Sequence, residues 1–286
     1  MTRLIHENSE LVLSPKTGGV VVSLTLDGIE ILRSGPATPK PNWDPLDYGS
    51  FPLVPFSGRI ASGRINLGRK NILLPANFPP EPHAIHGHGW QSEWTVIDSG
   101  LDFAELSYQH QLDVWPWEYQ ATQRFVLEND RLALELSLTN KSDTAMPSGI
   151  GWHPYFPREN AILELPTESV WLSDENMIPR APEPVLANID LRSGRRVEQL
   201  DLDYAFDVSR SEATIRYPEH IVTLKADSKF TKSVVYAPPN ENYFCVEPVT
   251  HSPDAVNSDL PTSVTGLVWL KSGETLSGRI ELSVER

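Results

Sequence analysis

The sequence predicts an all-β fold, a large antiparallel β-sandwich. The apolar residues recur with a period of two rather than 3.6, as on half-buried strands. Gly and Pro punctuate the apolar runs at short intervals, as turns between strands do. No stretch carries an apolar stripe suited to a helix of more than two turns.

The elements follow in chain order. In "GGVVVSLTLDGIEIL" residues Val20, Val22, Leu24 and Leu26 are expected to share one face. Asp27-Gly28 is expected to turn the chain into a second arm carrying Ile29 and Ile31, because both positions of a two-residue hairpin turn favour such residues. "GRINLGRKNILLP" reads as another hairpin, turning near Gly68. "QRFVLENDRLALELSLTN" reads as a third. Its second arm sets Leu132, Leu134, Leu136 and Leu138 against Ala133, Glu135, Ser137 and Thr139. The last strand, "GRIELSVER", alternates Ile280, Leu282 and Val284 with polar neighbours. Low-complexity tracts, charge blocks and fixed-period repeats are absent. The Pro-rich segments 36–45 and 179–184 read as ordered surface loops, and residues 1–286 are expected to form a single domain. A chain of this length can bury most of its unfolded surface without covalent staples.

Composition narrows the function. There are 38 acidic against 24 basic residues, a formal net charge of −14. That argues against nucleic acid, whose affinity comes from Lys and Arg neutralising phosphates, and against anionic membranes. The single cysteine, Cys245, allows no intramolecular disulfide. The N-terminal stretch lacks the apolar core of a secretory signal, and no run approaches the roughly 18 apolar residues of a membrane span. A soluble, cytoplasmic protein is the expectation. Oligomeric state is not legible.

Several segments set polar groups among apolar ones. In "PLVPFSGRI", Arg59 follows a tight turn, where its fork of donors suits either a ligand oxygen or a salt bridge. "HAIHGHGW" holds His83, His86 and His88. Imidazoles at a turn can ligate metal, yet no acidic residue or cysteine adjoins them. A hydrogen bond from one histidine to a ligand and a structural role are the other two readings. In "GIGWHPYF", His153 stands between Trp152 and Pro154-Tyr155-Phe156. Such a histidine is either ordinary core or one held in a single rotamer beside a pocket. In "YFCVEPVTHSPDAVN", Tyr243, Cys245 and Glu247 alternate onto one strand face. A glutamate placed there needs a basic partner, with Arg59 the obvious choice, or a ligand. Asp203 in "LDLDYAFDV" is a further candidate.

Together "PFSGRI", "HAIHGHGW", "WHPYF", "DYAF" and "EPVTHSPDAVN", in this order over about 50–260, resemble the aldose 1-epimerases, or galactose mutarotases, and in particular their shorter bacterial branch. The resemblance implies the galactose mutarotase-like supersandwich, with a monosaccharide in an open cleft and neither cofactor nor metal. It also implies roles. Glu247 corresponds to the general base and His153 to the general acid. Arg59, His86 and Asp203 correspond to residues that bind sugar hydroxyls or steady the ring oxygen. Tyr236 in "VVYAP" and Trp115 or Trp117 in "DVWPWEY" would line the cleft. Three departures from the longer members bear on the choice of sugar: Trp152 before the acid histidine, "HGHGW" in place of a double-glycine turn, and "EPVTH" after the base.

The implied reaction opens and recloses a cyclic hemiacetal. It needs a base for the C1 hydroxyl proton and an acid for the ring oxygen. A carboxylate and an imidazole are suited to these tasks near neutral pH. Three rivals stand beside it. A hexose-6-phosphate 1-epimerase needs added cations, for which Arg158 and Arg180 are the candidates. A glycosidase needs two carboxylates flanking the scissile bond, and Glu247 with Asp203 would have to supply them. A non-catalytic carbohydrate-binding module needs neither Glu247 nor His153.

Overall fold

The computed structural model describes residues 1–36, 47–68 and 70–286. Nearly all of the Pro-rich segment 36–45 therefore lies outside the described residues. The architecture is all-β, built on two large sheets of 11 and nine strands whose pairings are antiparallel. Among the described residues the single α-helical turn is Thr262–Thr265. Among the described residues no helix is long and apolar enough to cross a membrane.

The nine-stranded sheet holds the third hairpin, Tyr119–Leu127 with Arg131–Asn140, and the last strand, Thr275–Glu285, beside it. Burial alternates along Tyr119–Leu127 as the period of two requires. The Asp27-Gly28 turn pairs Val20–Leu26 with Ile29–Leu32. Both turn residues have positive φ, 46° and 75°, the conformation of a two-residue hairpin turn. Arg64–Leu67 pairs with Lys70–Leu73 around Gly68, as expected.

One strand departs from strict alternation. Leu13 pairs with Val21 but Val12 with Ser23, so Val22 is an extra residue, a β-bulge. A bulge re-aims side chains on either side of it. Val20 and Val22 therefore pack in one buried cluster, and Leu24 and Leu26 in another. The four do not share one face.

The main core lies between the sheets. Leu24, Trp152, Phe156, Phe244 and Val246 from the 11-stranded sheet join Leu106, Phe125, Leu134 and Ile280 from the nine-stranded one. Each such side chain stabilises the fold by about 1.5–3 kcal/mol. The outer face of the 11-stranded sheet carries the second cluster, which includes Phe51, Trp90, Tyr155, Tyr243 and Cys245. That face is where the candidate residues gather. Ser50–Leu53, Gly151–Pro157, Tyr243–Val249, Lys232–Ala237 and Leu202–Val208 lie side by side in the middle of the sheet.

Candidate functional site

Alternation assigns the side chains of "GIGWHPYF". Trp152 and Phe156 enter the main core, so His153 and Tyr155 stand on the outer face. On the next strand Phe244 and Val246 point inward, which leaves Tyr243, Cys245 and Glu247 on the same side as His153. The ladder between the two strands pairs Gly151 with Val249 and Tyr155–Pro157 with Cys245–Tyr243, and skips Trp152–Pro154. Pro154 and Pro248 have no amide hydrogen to give there.

Two glycines bring loops down onto this face. A Cβ at Gly149 would lie 1.8 Å from Cδ2 of His251. The ring of His251 fills that space because Nε2 accepts from the Ser57 amide (3.1 Å) and Nδ1 donates to the Ser252 carbonyl (2.7 Å). This bond ties down the turn before Arg59. A Cβ at Gly87 would lie 2.2 Å from the Val54 carbonyl oxygen. Gly87 also has a φ of 69°, which favours glycine. The loop is thereby pressed against the sheet beside Val54, with His86 over the site.

The result is a cavity of about 350 Å³, a size that suits a small ligand. Arg59, Glu81, His86, His153, Asp203, Tyr236 and Glu247 supply its polar groups, and Phe51, Phe78, Trp90 and Tyr155 are its aromatic walls. At its floor Nε2 of His153 lies 3.2 Å from Oε1 of Glu247, and both side chains are almost wholly buried. Rings hold the imidazole on several sides: Tyr155 stacks at 4.8 Å, Phe51 lies at 4.5 Å and His86 stands edge-on at 5.4 Å. Burial pushes the His153 pKa down to about 3. Burial, reinforced by Asp203, pushes the Glu247 carboxyl well above the usual carboxylate range, and Arg59 only partly opposes this.

Across the cavity Nη2 of Arg59 bonds both Oε1 of Glu81 (3.0 Å) and Oδ2 of Asp203 (3.2 Å). Asp203 faces the site because it sits opposite Tyr236 in the ladder. His86 accepts the Gly58 amide hydrogen at Nδ1 (3.1 Å), so in the neutral ring Nε2 carries the proton. Burial first, then His153 and Arg59, push the His86 pKa well below its ordinary value. A neutral imidazole donor, an ion-paired guanidinium and a histidine–carboxyl pair thus surround one small volume. Such a set can grip hydroxyl groups and move protons.

The sequence model of the family described as aldose 1-epimerase matches residues 1–283. The chain belongs to the aldose 1-epimerase family. The uncharacterized protein YphB of Escherichia coli K12 is 27% identical over 99% of this chain and 98% of its own. A crystal structure from Escherichia coli K12, of a protein assigned provisionally as an aldose 1-epimerase, superposes with a TM-score of 0.88. It is 26% identical over 99% of this chain and 98% of its own. A galactose mutarotase-like protein of Clostridium acetobutylicum superposes with a TM-score of 0.91 at 24% identity, over 99% and 94% of the two chains. The latter likeness speaks for the fold.

Against this family background the other candidates fall into place. Arg59, His86, His153, Asp203, Tyr236 and Glu247 converge on one cavity. Trp115 does not. It is buried in the main core against Phe56 and Trp117, and the rings that wall the cavity are Phe51, Phe78, Trp90, Tyr155 and Tyr236 instead. Trp117 is core as well. The three histidines of "HAIHGHGW" diverge. His83 bridges the Ser62 amide and the Asn176 carbonyl, and His88 stacks on His110. Only His86 reaches the cavity, so the three do not share a metal. Glu247 pairs with His153 rather than with Arg59. Arg158 spends its guanidinium on the carbonyls of Pro238, Val197 and Leu200, and neither it nor Arg180 lines the cavity. Glu81 was missed. It overturns the expectation that these histidines lack an acidic neighbour, since in "PPEPHAIHG" it stands two residues before His83 and five before His86.

Proposed function

We propose that the protein interconverts the α and β anomers of an unphosphorylated aldose, with Glu247 and His153 as its proton-transfer pair. The observation that carries this reading is the buried contact of 3.2 Å between these two side chains on the cavity floor. A binding module has no use for such a pair, and a glycosidase leaves His153 without a task.

The proton inventory fits. With the carboxyl shifted up and the imidazole shifted down, a proton shared by the two rests on Glu247. The closed sugar requires the opposite arrangement, a carboxylate at Glu247 and a proton on Nε2 of His153. The short separation lets that proton cross directly. The carboxylate then takes the C1 hydroxyl proton while Nε2 gives its own to the ring oxygen. The C1–O5 bond breaks and a C1 carbonyl forms. The pair is left as carboxylic acid and neutral imidazole, the same state that burial favours at rest. Rotation about C1–C2 presents the other carbonyl face, and the same transfers in reverse close the ring. Nothing is consumed. Each positioned acid or base contributes about 10²–10⁴ in rate.

Arg59, Asp203, Tyr236 and the Nε2 proton of His86 are placed to hold hydroxyls and the ring oxygen. Arg59 is the one Lys or Arg on the cavity wall among the described residues, and its guanidinium is already paired, which disfavours a phosphate. The test is polarimetry of freshly dissolved α-D-galactose and α-D-glucose with catalytic protein. Decay of rotation faster than the buffer rate is expected. Decay at the buffer rate with these and other neutral aldoses would overturn the proposal.

A further inference from the structure

We infer that Glu81 sets the charge preference of the cavity, so that it takes neutral and cationic aldoses, such as 2-amino-2-deoxyhexoses, and turns away uronates. The inference rests on the epimerase reading for the identity of the ligand, but its own content is the charge of the site.

Among the described residues the cavity wall has one guanidinium, Arg59, with that of Arg33 set apart from the cavity against the Tyr155 ring (4.1 Å), and two carboxylates claim Arg59. Glu81 receives Nη2 of Arg59 at 3.0 Å and Nε at 3.4 Å, a two-pronged grip. Asp203 takes Nη2 again at 3.2 Å. The pairing is enclosed, with Arg59 only 16% exposed and the two carboxylates 25% and 27%. Neither histidine supplies a spare cation: burial holds His86 and His153 far below their ordinary pKa. Glu247 and His153 share one proton and so are neutral as a pair wherever that proton rests, which leaves two carboxylates facing one guanidinium. A carboxylate on the sugar would meet this excess with no unpaired Lys or Arg on the cavity wall, among the described residues, to receive it. An ammonium group on the sugar would meet the same excess favourably.

Of the two carboxylates, Glu81 is the one free to serve this purpose. Asp203 sits on a central strand, whereas Glu81 closes a turn whose amide donates to the Phe78 carbonyl (3.0 Å) at the cavity wall. Without Glu81 the cavity charge would be balanced between Arg59 and Asp203, and the guanidinium would have two donors to offer an incoming carboxylate. A fork of this kind binds carboxylates well.

The experiment compares D-galactose, D-galactosamine and D-galacturonate at low salt, for wild type, Glu81→Gln and Glu81→Asp. Both kcat/KM for anomer exchange and calorimetric affinity are read. Wild type is expected to take galacturonate at least tenfold less well than galactose, and galactosamine at least as well as galactose. Glu81→Gln is expected to narrow the galacturonate deficit about tenfold, which converts to about 1.4 kcal/mol. One unit charge acts with that strength across roughly 7 Å at a dielectric between those of protein and water. Glu81→Asp keeps the charge and should keep the order. Rising ionic strength should shrink the discrimination. Galacturonate handled as well as galactose by wild type would overturn the inference, and that measurement needs no variant to fold. Unchanged ratios in Glu81→Gln would overturn it too. Affinities that follow the charge order without anomer exchange would sink the epimerase reading and leave this inference standing. Exchange of galactose with unaltered ratios would do the reverse.

Discussion

Replacing Glu247 by Gln separates the chemistry of the site from its stability. The amide has the shape of the carboxyl, and its NH2 can donate to Nε2 of His153 in place of the carboxyl proton across the observed 3.2 Å. It cannot hold the C1 hydroxyl proton. Loss of one positioned base predicts a fall in kcat of about 10²–10⁴, or roughly 3–5.5 kcal/mol in the barrier. The fold should respond the other way. Burial pushes the Glu247 carboxyl up, which means that ionising it inside the protein is unfavourable. A group whose folded pKa is raised stabilises the fold below its unfolded value, about 4.3, and that contribution is lost as pH rises toward the folded value. At pH 7–8 a neutral amide escapes this loss. Glu247→Gln is therefore expected to melt at or above the wild-type temperature while losing its rate. Polarimetry, with the buffer rate subtracted, reads the first effect, and a calorimetric melt reads the second. A variant with more than a tenth of wild-type kcat would refute the assignment of the base. A fall in melting temperature of several degrees would refute the account of its burial. For a chain of this size, about 1 kcal/mol corresponds to roughly 2–4 °C.

Other perturbations test the surrounding argument. The kcat/KM profile should keep its plateau well below pH 6, because a doubly protonated pair forms only near the His153 pKa of about 3; an acid limb at pH 6–7 would mean that an ordinary imidazole controls the rate. Its basic limb should lie above the usual carboxylate range, since Glu247 is shifted up. Gly149→Ala sets a Cβ 1.8 Å from the ring of His251 and should cost about 2–4 kcal/mol, from overpacking and from loss of the bond to the Ser57 amide, as read by urea unfolding; a cost under 0.5 kcal/mol would show that the ring yields freely. Burial lowers the His251 pKa to about 4, so its stabilising contribution is complete above its unfolded value of about 6.5 and fades as pH falls toward 4. The stability advantage of wild type over His251→Gln should therefore shrink by about 3 kcal/mol between pH 7 and pH 4; a constant difference would place the proton elsewhere.

The sequence is most legible where one rule governs, and least where the chain folds back on itself. Period-two alternation fixed which side of the sheet His153 and Glu247 occupy, since Trp152, Phe156, Phe244 and Val246 have an apolar core to enter. It failed at Val22, because a bulge depends on how the neighbouring strand runs. Trp115 shows a second limit. An aromatic residue near a sugar site and one in the core have the same composition, and only the path of the loop after His110 separates them. The three histidines at positions 83, 86 and 88 show a third. Spacing made them a group, yet the positive φ of His86 and Gly87 sends each ring to a different neighbour. Glu81 shows the fourth. Its importance comes from Arg59, 22 residues earlier in the chain, and pairing across that distance leaves no local pattern. Local periodicity thus reports which face a residue occupies. The partners it meets there depend on loops, and loops held by single close approaches, such as Gly87 against Val54 and Gly149 against His251, bring Arg59, His86 and Glu81 over the strand-borne pair.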